Sequence, residues 1–247
     1  MFKLCVIIPT YNHYQHIHSV IDVLGQDIAC LLVDDGSVSP CREVLDDIAA
    51  TRSGVELIRL PQNQGKGIAV TTGLKHAHQL GFSHALQIDA DGQHDTNDLA
   101  GFISTAKNHP QAVIAGVRRY DEMPPKRRYG RMVTDFWVWV NTLSFTIKDS
   151  MCGYRVYPLA ETITLLSGTA IGQRMDFDTD ILVRLYWRGI AVEQLETRVN
   201  YHSDGDSHFD LLHDNLRISK MHTRHFFGML IRLPGLLART RNQQRLN

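Results

Sequence analysis

Short apolar runs alternate with longer mixed segments through the first half of the chain, and each run ends in a polar cluster. Leu4–Ile8 is stopped by Pro9, and Leu31–Val33 runs into Asp34-Asp35-Gly36-Ser37. Val55–Ile58 ends near Pro61, Ala85–Ile88 ends in Asp89, and Ala112–Gly116 is a fifth run. Continuous runs of this length bounded by breakers are the pattern of strands buried on both faces. The segments between them predict helices over 15–25, 40–51, 66–80 and 96–108. Such alternation implies right-handed βαβ units and a doubly wound, mostly parallel α/β sheet flanked by helices.

That architecture has a consequence for chemistry. In an open α/β sheet the ligand crevice lies beyond the carboxyl ends of the strands. Pro9-Thr10-Tyr11-Asn12, Asp34-Asp35-Gly36-Ser37 and Asp89-Ala90-Asp91 all stand just after predicted strands, so the three clusters converge on one rim.

Asp89-Ala90-Asp91 is the most informative of them. Two carboxylates one residue apart at a strand end suit an oxygen-seeking divalent cation, Mg²⁺ or Mn²⁺, whose shell a diphosphate completes. Such an ion stabilises charge on a diphosphate leaving group. Taken alone, the triplet reads equally well as a solvated turn. Asp34 and Asp35 suit hydrogen bonds to a base or ribose, with Ser37 or Ser39 expected to cap the helix beginning at Pro40. Asn63-Gln64-Gly65-Lys66-Gly67 offers backbone N–H groups and a cation to an anion, but lacks the P-loop spacing.

The second half is less regular. Arg118, Arg119, Lys126, Arg127, Arg128 and Arg131 form a basic stretch, followed by a predicted helix carrying Phe136, Trp137 and Trp139. A helix is expected near 181–188 and a strand over Glu193–Asn200. Asp176, Asp178 and Asp180 are candidate general bases. Their alternation places all three on one face of an extended segment and on different sides of a helix. The competing reading is an acidic helix N-terminus. His13, His16, His18, His76 and His78 lack the spacing of a helical zinc site.

Charge and cysteine usage exclude several classes. Lys plus Arg and Asp plus Glu number 26 each in 247 residues, so overall charge does not point to nucleic acid. Asp214 is the last acidic residue, whereas Arg217, Lys220, Arg224, Arg232, Arg239, Arg241 and Arg245 follow it. With the apolar Phe226–Leu233, this tail reads either as a basic amphipathic segment at a membrane interface or as a helix packed on the domain. Cys5, Cys30, Cys41 and Cys152 show no CxxC pairing, which argues against structural zinc and fits a reducing cytosol. No N-terminal signal and no run long enough to span a bilayer is visible. The expected location is cytoplasmic, peripheral on the inner face of the membrane.

Taken together, the quoted clusters resemble the inverting family-2 glycosyltransferases with the GT-A fold. The likeness is greatest to polyprenol-phosphate sugar synthases such as dolichol-phosphate mannose synthase. Asp149-Ser150-Met151-Cys152-Gly153-Tyr154-Arg155 resembles the family's later Asp…Gly-Phe-Arg element. The resemblance implies a sugar moved from a GDP- or UDP-linked donor to a lipid-linked acceptor, most simply a polyprenyl phosphate. It implies nucleoside contacts at Pro9, Tyr11, Asn12 and Asp35, and ribose and pyrophosphate contacts at Asp89 and Ala90. Asp91 and Gln93, with Asp89, would be the metal ligands; the expected catalytic residues are then Asp91 and, from the spacing above, Asp178 and Asp180. Lys66, Arg118, Arg131 and Arg155 complete the expected substrate contacts. His13 stands where the family often has Glu, Cys152 where it has a small residue, and His208 where an acceptor-side lysine is usual.

The expected division is a transferase domain over 1–210, with donor half 1–117 and acceptor half 118–210, and a helical tail over 211–247. Two alternatives remain at this point. One is a hydroxyl acceptor served by an Asp base; the other is a non-catalytic nucleotide- or glycan-binding homologue. A nucleotidyltransferase would open with a Gly-rich loop where this chain has Pro9-Thr10-Tyr11-Asn12.

Overall fold

The computed structural model describes residues 1–25, 27–119, 125–200 and 211–246. Its first half runs β1 (Leu4–Thr10), α1 (Ile17–Leu24), β2 (Ala29–Asp34), α2 (Cys41–Thr51), β3 (Val55–Arg59), α3 (Lys66–Gln79) and β4 (His84–Gln87). After a short 3-10 turn, α4 (Leu99–Asn108) and β5 (Val113–Arg118) follow. The second half adds α5 (Pro125–Thr142), β6 (Arg155–Pro158), α6 (Leu159–Gly168), α7 (Phe177–Trp187), β7 (Val192–Thr197) and α8 (Leu211–Leu246).

The seven strands form one sheet in the order β3-β2-β1-β4-β6-β5-β7. Only β6 runs against the rest, paired antiparallel to both β4 and β5. The chain winds outward from β1 to β3, then crosses back to β4 on the other side of β1. This reversal makes the β1–β4 boundary the switch point at which an α/β sheet opens a crevice.

Alternate residues of each strand feed different layers, as the two-residue period of a strand requires. Cys5, Ile7, Leu31, Val33 and Val113 join one core with Ala69, Val70 and Leu74 of α3 and with α7. Val6, Ile8, Cys30, Leu32 and Ile114 join the other with α1, α2 and α4. Both faces are covered, so the apolar runs are continuous. Gly73 is where α3 crosses β1: a Cβ there would lie 2.6 Å from Ile7 Cγ2.

Two expectations need correction. Pro9 and Thr10 belong to β1 rather than to the loop after it. Pairing with β4 ends at Ile7–Gln87, so Pro9, whose missing N–H points to that side, interrupts no ladder. Neither serine caps α2: Pro40 occupies the N-cap with no side-chain bond, because Ser37 Oγ instead accepts from Asn12 N at 2.9 Å. One face of the tail helix is packed on the domain. α8 packs against α5 and α7, with Met229 and Leu236 inside the main core.

Candidate active site

The expected convergence of loops is built from side chains that bridge one strand end to the next. After β1, Asn12 takes a positive φ of 55°, a conformation that Asn tolerates better than most residues. Its backbone N donates to Ser37 Oγ, and its Oδ1 accepts from Val38 N at 3.0 Å. Asn12 therefore clamps the β1 loop to the β2 loop. Tyr11 beside it is half-buried, and Pro9 is buried in the strand.

The two aspartates after β2 have different tasks. Asp34 accepts from Ser37 N at 2.8 Å and pairs with Arg59 Nε at 2.7 Å. It is fully buried and ties β2 to β3. Asp35 accepts from Gln64 N at 2.7 Å and Gly65 N at 2.8 Å. Burial raises its carboxyl above the usual range, and these two N–H groups oppose the rise. Two of the backbone donors expected to cradle an anion at 63–67, those of Gln64 and Gly65, are thus occupied by Asp35. Gly36 makes the approach possible: it has a φ of 77°, and a Cβ there would lie 2.6 Å from the Gln62 backbone.

What the 63–67 loop delivers is Lys66. Its Nζ lies 2.8 and 2.9 Å from the two Asp89 oxygens and 2.9 Å from Asp178 Oδ2. Burial works against the ammonium, but the two carboxylates outweigh it and raise its proton affinity. For Asp89 burial likewise raises the pKa, and Lys66 overrides it to leave the carboxyl below its ordinary value. Gly153 closes over this triad. A Cβ at 153 would stand 2.8 Å from Lys66 Nζ and 2.9 Å from Asp89 Oδ2, so no other residue fits there without displacing them.

Asp91 is the less committed carboxylate of the pair. One oxygen accepts from Gln93 N at 3.0 Å. Burial, reinforced by the Asp89 charge, pushes its carboxyl upward. Two such carboxylates at one turn form a hard-oxygen donor set of the kind Mg²⁺ or Mn²⁺ takes, and a cation would relieve their repulsion. Among the described residues no group of three His, Cys, Asp or Glu side chains could hold a metal. Asp91 with Asp89 would hold such an ion only in part, and donor phosphates and water would have to supply its other ligands. Ala90 is buried between them, and Gln93 follows in the turn, its carbonyl accepting from Asn200 N at 2.8 Å.

The later residues separate into site and scaffold. α7 is a helix, so the three aspartates diverge. Asp178 points to the triad and also accepts from Gln87 Nε2 at 3.1 Å. Asp180 turns away, accepting from Gly172 N at 2.8 Å and pairing with Arg184 and with His225 of α8. Burial raises its carboxyl, and the His225 contact leads the interactions that bring it below the ordinary value. Asp176 takes the N-cap position without a capping bond, and its Oδ1 accepts from Arg174 N.

The expected phosphate-binding arginines are held by a buried acid. Arg118 makes a two-pronged contact with Asp149 at 2.8 Å through both Nε and Nη2, and Arg131 reaches the same carboxylate at 3.5 Å. Burial opposes ionisation of Asp149, and Arg118 overrides it, holding the carboxyl far below the carboxylate range. Arg155 is fully buried, and donates to the backbone carbonyls of Ser150 and Asp178. It frames the 149–153 loop and is not open to a substrate. Gly205–His208 lies outside the described residues.

The sequence did not reveal the partners Gln87, Asp149 and Gly153 as parts of the site, although the last two stand in a quoted segment. Pairing of buried charges depends on tertiary proximity that no local pattern records.

Known proteins resemble this chain in sequence and in fold. The glycosyl transferase family 2 model matches residues 5–174. A dolichyl-phosphate beta-glucosyltransferase from Dictyostelium discoideum is 25% identical over 251 residues, covering 92% of this chain and 75% of its own. A UDP-N-acetylglucosamine–dolichyl-phosphate N-acetylglucosaminyltransferase from Methanococcus voltae is 28% identical over 171 residues, 62% of this chain and 68% of its own. Among solved structures, glucosyl-3-phosphoglycerate synthase from Mycobacterium tuberculosis with UDP superposes with a TM-score of 0.67 at 15% identity, covering 92% of this chain and 80% of that one. A Pyrobaculum calidifontis mannosyltransferase with GDP-Man and Mn²⁺ gives 0.60 at 18% identity, over 93% and 64% of the two chains. The expected GT-A fold is borne out, and the chain is a glycosyltransferase that belongs to glycosyl transferase family 2.

Proposed function

We propose that this chain moves a sugar from a nucleoside-diphosphate sugar to a lipid-linked acceptor, a polyprenyl phosphate, with inversion at the anomeric carbon. The observation that carries the choice of acceptor is the commitment of Asp178 and Asp180 to other partners, while Asp176 accepts, among the described residues, only from the neighbouring Arg174 N. Asp178 is bound to Lys66 and Gln87, and Asp180 to His225, Arg184 and a backbone N–H. A hydroxyl acceptor needs a carboxylate to take its proton. A phosphate monoester is already an anionic nucleophile and needs none. The dolichyl-phosphate transferases among the relatives support the same reading.

In this reading the acceptor phosphate oxygen forms its bond to C1 of the sugar as the bond from C1 to the donor diphosphate breaks. A divalent cation held by Asp91, with Asp89 beside it, would stabilise the charge left on the departing diphosphate. Lys66 fixes Asp89 in place before the donor arrives, so that no reorganisation is needed during reaction. Asn12 and Asp35 hold the nucleoside-side loops, with the half-buried Tyr11 forming the wall there. Arg118, oriented by Asp149, stands at the end of β5 on the phosphate side of the rim, with Arg131 behind it. Residues 1–117 make the donor half and 118–210 the acceptor half.

The test compares a polyprenyl phosphate with the corresponding free polyprenol as acceptors for UDP- and GDP-linked sugars. Transfer to the phosphate and not to the alcohol is expected, and Asp178→Asn should leave the nucleophile's identity unchanged. Transfer to the alcohol that is lost in Asp178→Asn would establish the hydroxyl-acceptor reading instead.

A further inference from the structure

Apolar exposure on the two long helices of the second half follows a pattern. On α5, Tyr129, Met132, Val133, Phe136 and Trp137 fall at i, i+3, i+4, i+7 and i+8, the spacing of one helical stripe. They are 71%, 51%, 60%, 54% and 39% exposed. α8 shows the same thing in a second form. One of its faces is used: Ile218, Met221, Met229 and Leu236 are buried, and α8 packs on α5 and α7. Yet Leu216, Phe227, Leu230 and Ile231 share another face at whole-turn spacings, with 68%, 61%, 46% and 80% exposure.

The stripes belong to one two-helix layer. The Trp137 ring lies 6.5 Å from the His222 ring, which puts the edge of the α5 stripe at the seam with α8. The surroundings are cationic. Lys220 and Arg224 are exposed on α8 beside its stripe, and Arg128 is exposed where the α5 stripe begins. No acidic residue follows Asp214 in the sequence. No helix among the described residues is long and apolar enough to cross a membrane. An apolar, aromatic-rich face bordered by Lys and Arg is complementary to an anionic bilayer surface, where rings and aliphatic chains enter the acyl boundary and cations meet headgroup phosphates.

We propose that the exposed α5–α8 face docks the enzyme onto an anionic membrane surface. The inference rests on the lipid-acceptor reading for its purpose, and α5 supplies the connection. The helix that presents Met132, Val133 and Phe136 outward carries Arg131 and Asp135 on its buried side. Arg131 contacts Asp149, which holds Arg118, and Asp135 Oδ1 accepts from Ser150 N at 3.3 Å. One helix therefore faces the bilayer on one side and braces the acceptor side of the active-site rim on the other.

Flotation with vesicles of pure phosphatidylcholine or of phosphatidylcholine with phosphatidylglycerol tests the proposal on the full chain. Wild type should partition onto the anionic vesicles and release with rising salt. Phe227→Asp/Ile231→Asp and, separately, Lys220→Glu/Arg224→Glu should each weaken partitioning about tenfold or more. Both variants should keep the wild-type thermal midpoint and unchanged transfer to a short-chain, water-soluble prenyl phosphate. Failure of wild type to bind either vesicle, or variants that bind as wild type does, overturns the docking surface. So does a wild-type dimer that Phe227→Asp/Ile231→Asp splits without any vesicle binding, since the face would then join two copies. Vesicle binding without transfer to any prenyl phosphate would sink the lipid-acceptor reading and leave the surface standing.

Discussion

Lys66, the first residue of α3, and Asp178, in the first turn of α7, meet at 2.9 Å across the mouth of the sheet. Asp89 at the end of β4 completes the contact. Three elements distant in sequence are thus joined by one ammonium, next to the pair of carboxylates expected to hold a metal. Removing the ammonium would leave the buried Asp178 and the half-buried Asp89 uncompensated. Lys66→Met should therefore destabilise the protein by about 3–5 kcal/mol in urea unfolding. Adding Asp178→Asn should recover part of that loss; a double variant no more stable than the single one would show that the three charges are not coupled.

Asp35 acts on the same loop through its backbone. Replacing it by Asn turns one acceptor oxygen into a donor facing an N–H of Gln64 or Gly65, a cost of about 1–3 kcal/mol. The displaced loop carries Lys66, so KM for the donor should rise along with the stability loss. An Asp35→Asn protein with wild-type stability and KM would remove Asp35 from the donor side of the site.

Gly153→Ala is a sharper steric probe. The added Cβ would sit 2.8 Å from a Lys66 Nζ that two carboxylates pin in place. Turnover should fall at least about tenfold, as expected when a pre-organised group is displaced by a fraction of an ångström, while the circular dichroism spectrum is retained. Unchanged turnover would mean that Lys66 need not stay where it is found.

A buried histidine pair gives the fold a pH signature. Burial, with the neighbouring His225 second, lowers His222 from 6.5 to about 4. The unfolded chain then binds more protons than the native one between those values, so stability is greatest above pH 6.5 and declines as pH falls towards about 4. The loss assignable to His222 is on the order of 1–3 kcal/mol. His84 and His94 are also lowered by burial and act in the same direction. The comparison that isolates His222 is His222→Gln, whose unfolding midpoints should fall less steeply across this window. Identical slopes would contradict the assignment.

The sheet's framework could be read from the sequence because each of the first five strands is an apolar run cut off by a polar cluster. β1, β2, β3, β4 and β5 announce themselves in this way, and so does the rim where their loops meet. β6 does not, because Arg155–Pro158 is too short and mixed to carry a strand pattern. It becomes a strand only through partners on both sides, β4 and β5. The roles of the charged residues were harder still. Asp34 and Asp35 are adjacent and look alike, yet one ties β2 to Arg59 and the other holds the 64–65 backbone. Asp178 and Asp180 were separated only when the segment proved helical, which sends one to Lys66 and the other to His225. That Arg118 and Arg131 share Asp149 as a buried partner was not legible, because it lies 31 and 18 residues from them in sequence.

The most direct test of the account is nucleotide binding at the Asp89–Asp91 turn. Thermal unfolding of the full chain would be followed against UDP, GDP and their sugar conjugates, with and without Mn²⁺ or Mg²⁺. One nucleotide class should stabilise the protein only when the cation is present, by about 2.7 kcal/mol at a hundred times Kd, and Asp91→Ala should abolish the effect. Stabilisation that needs no cation, or that survives Asp91→Ala, would contradict the assignment of this turn as a metal-dependent donor site.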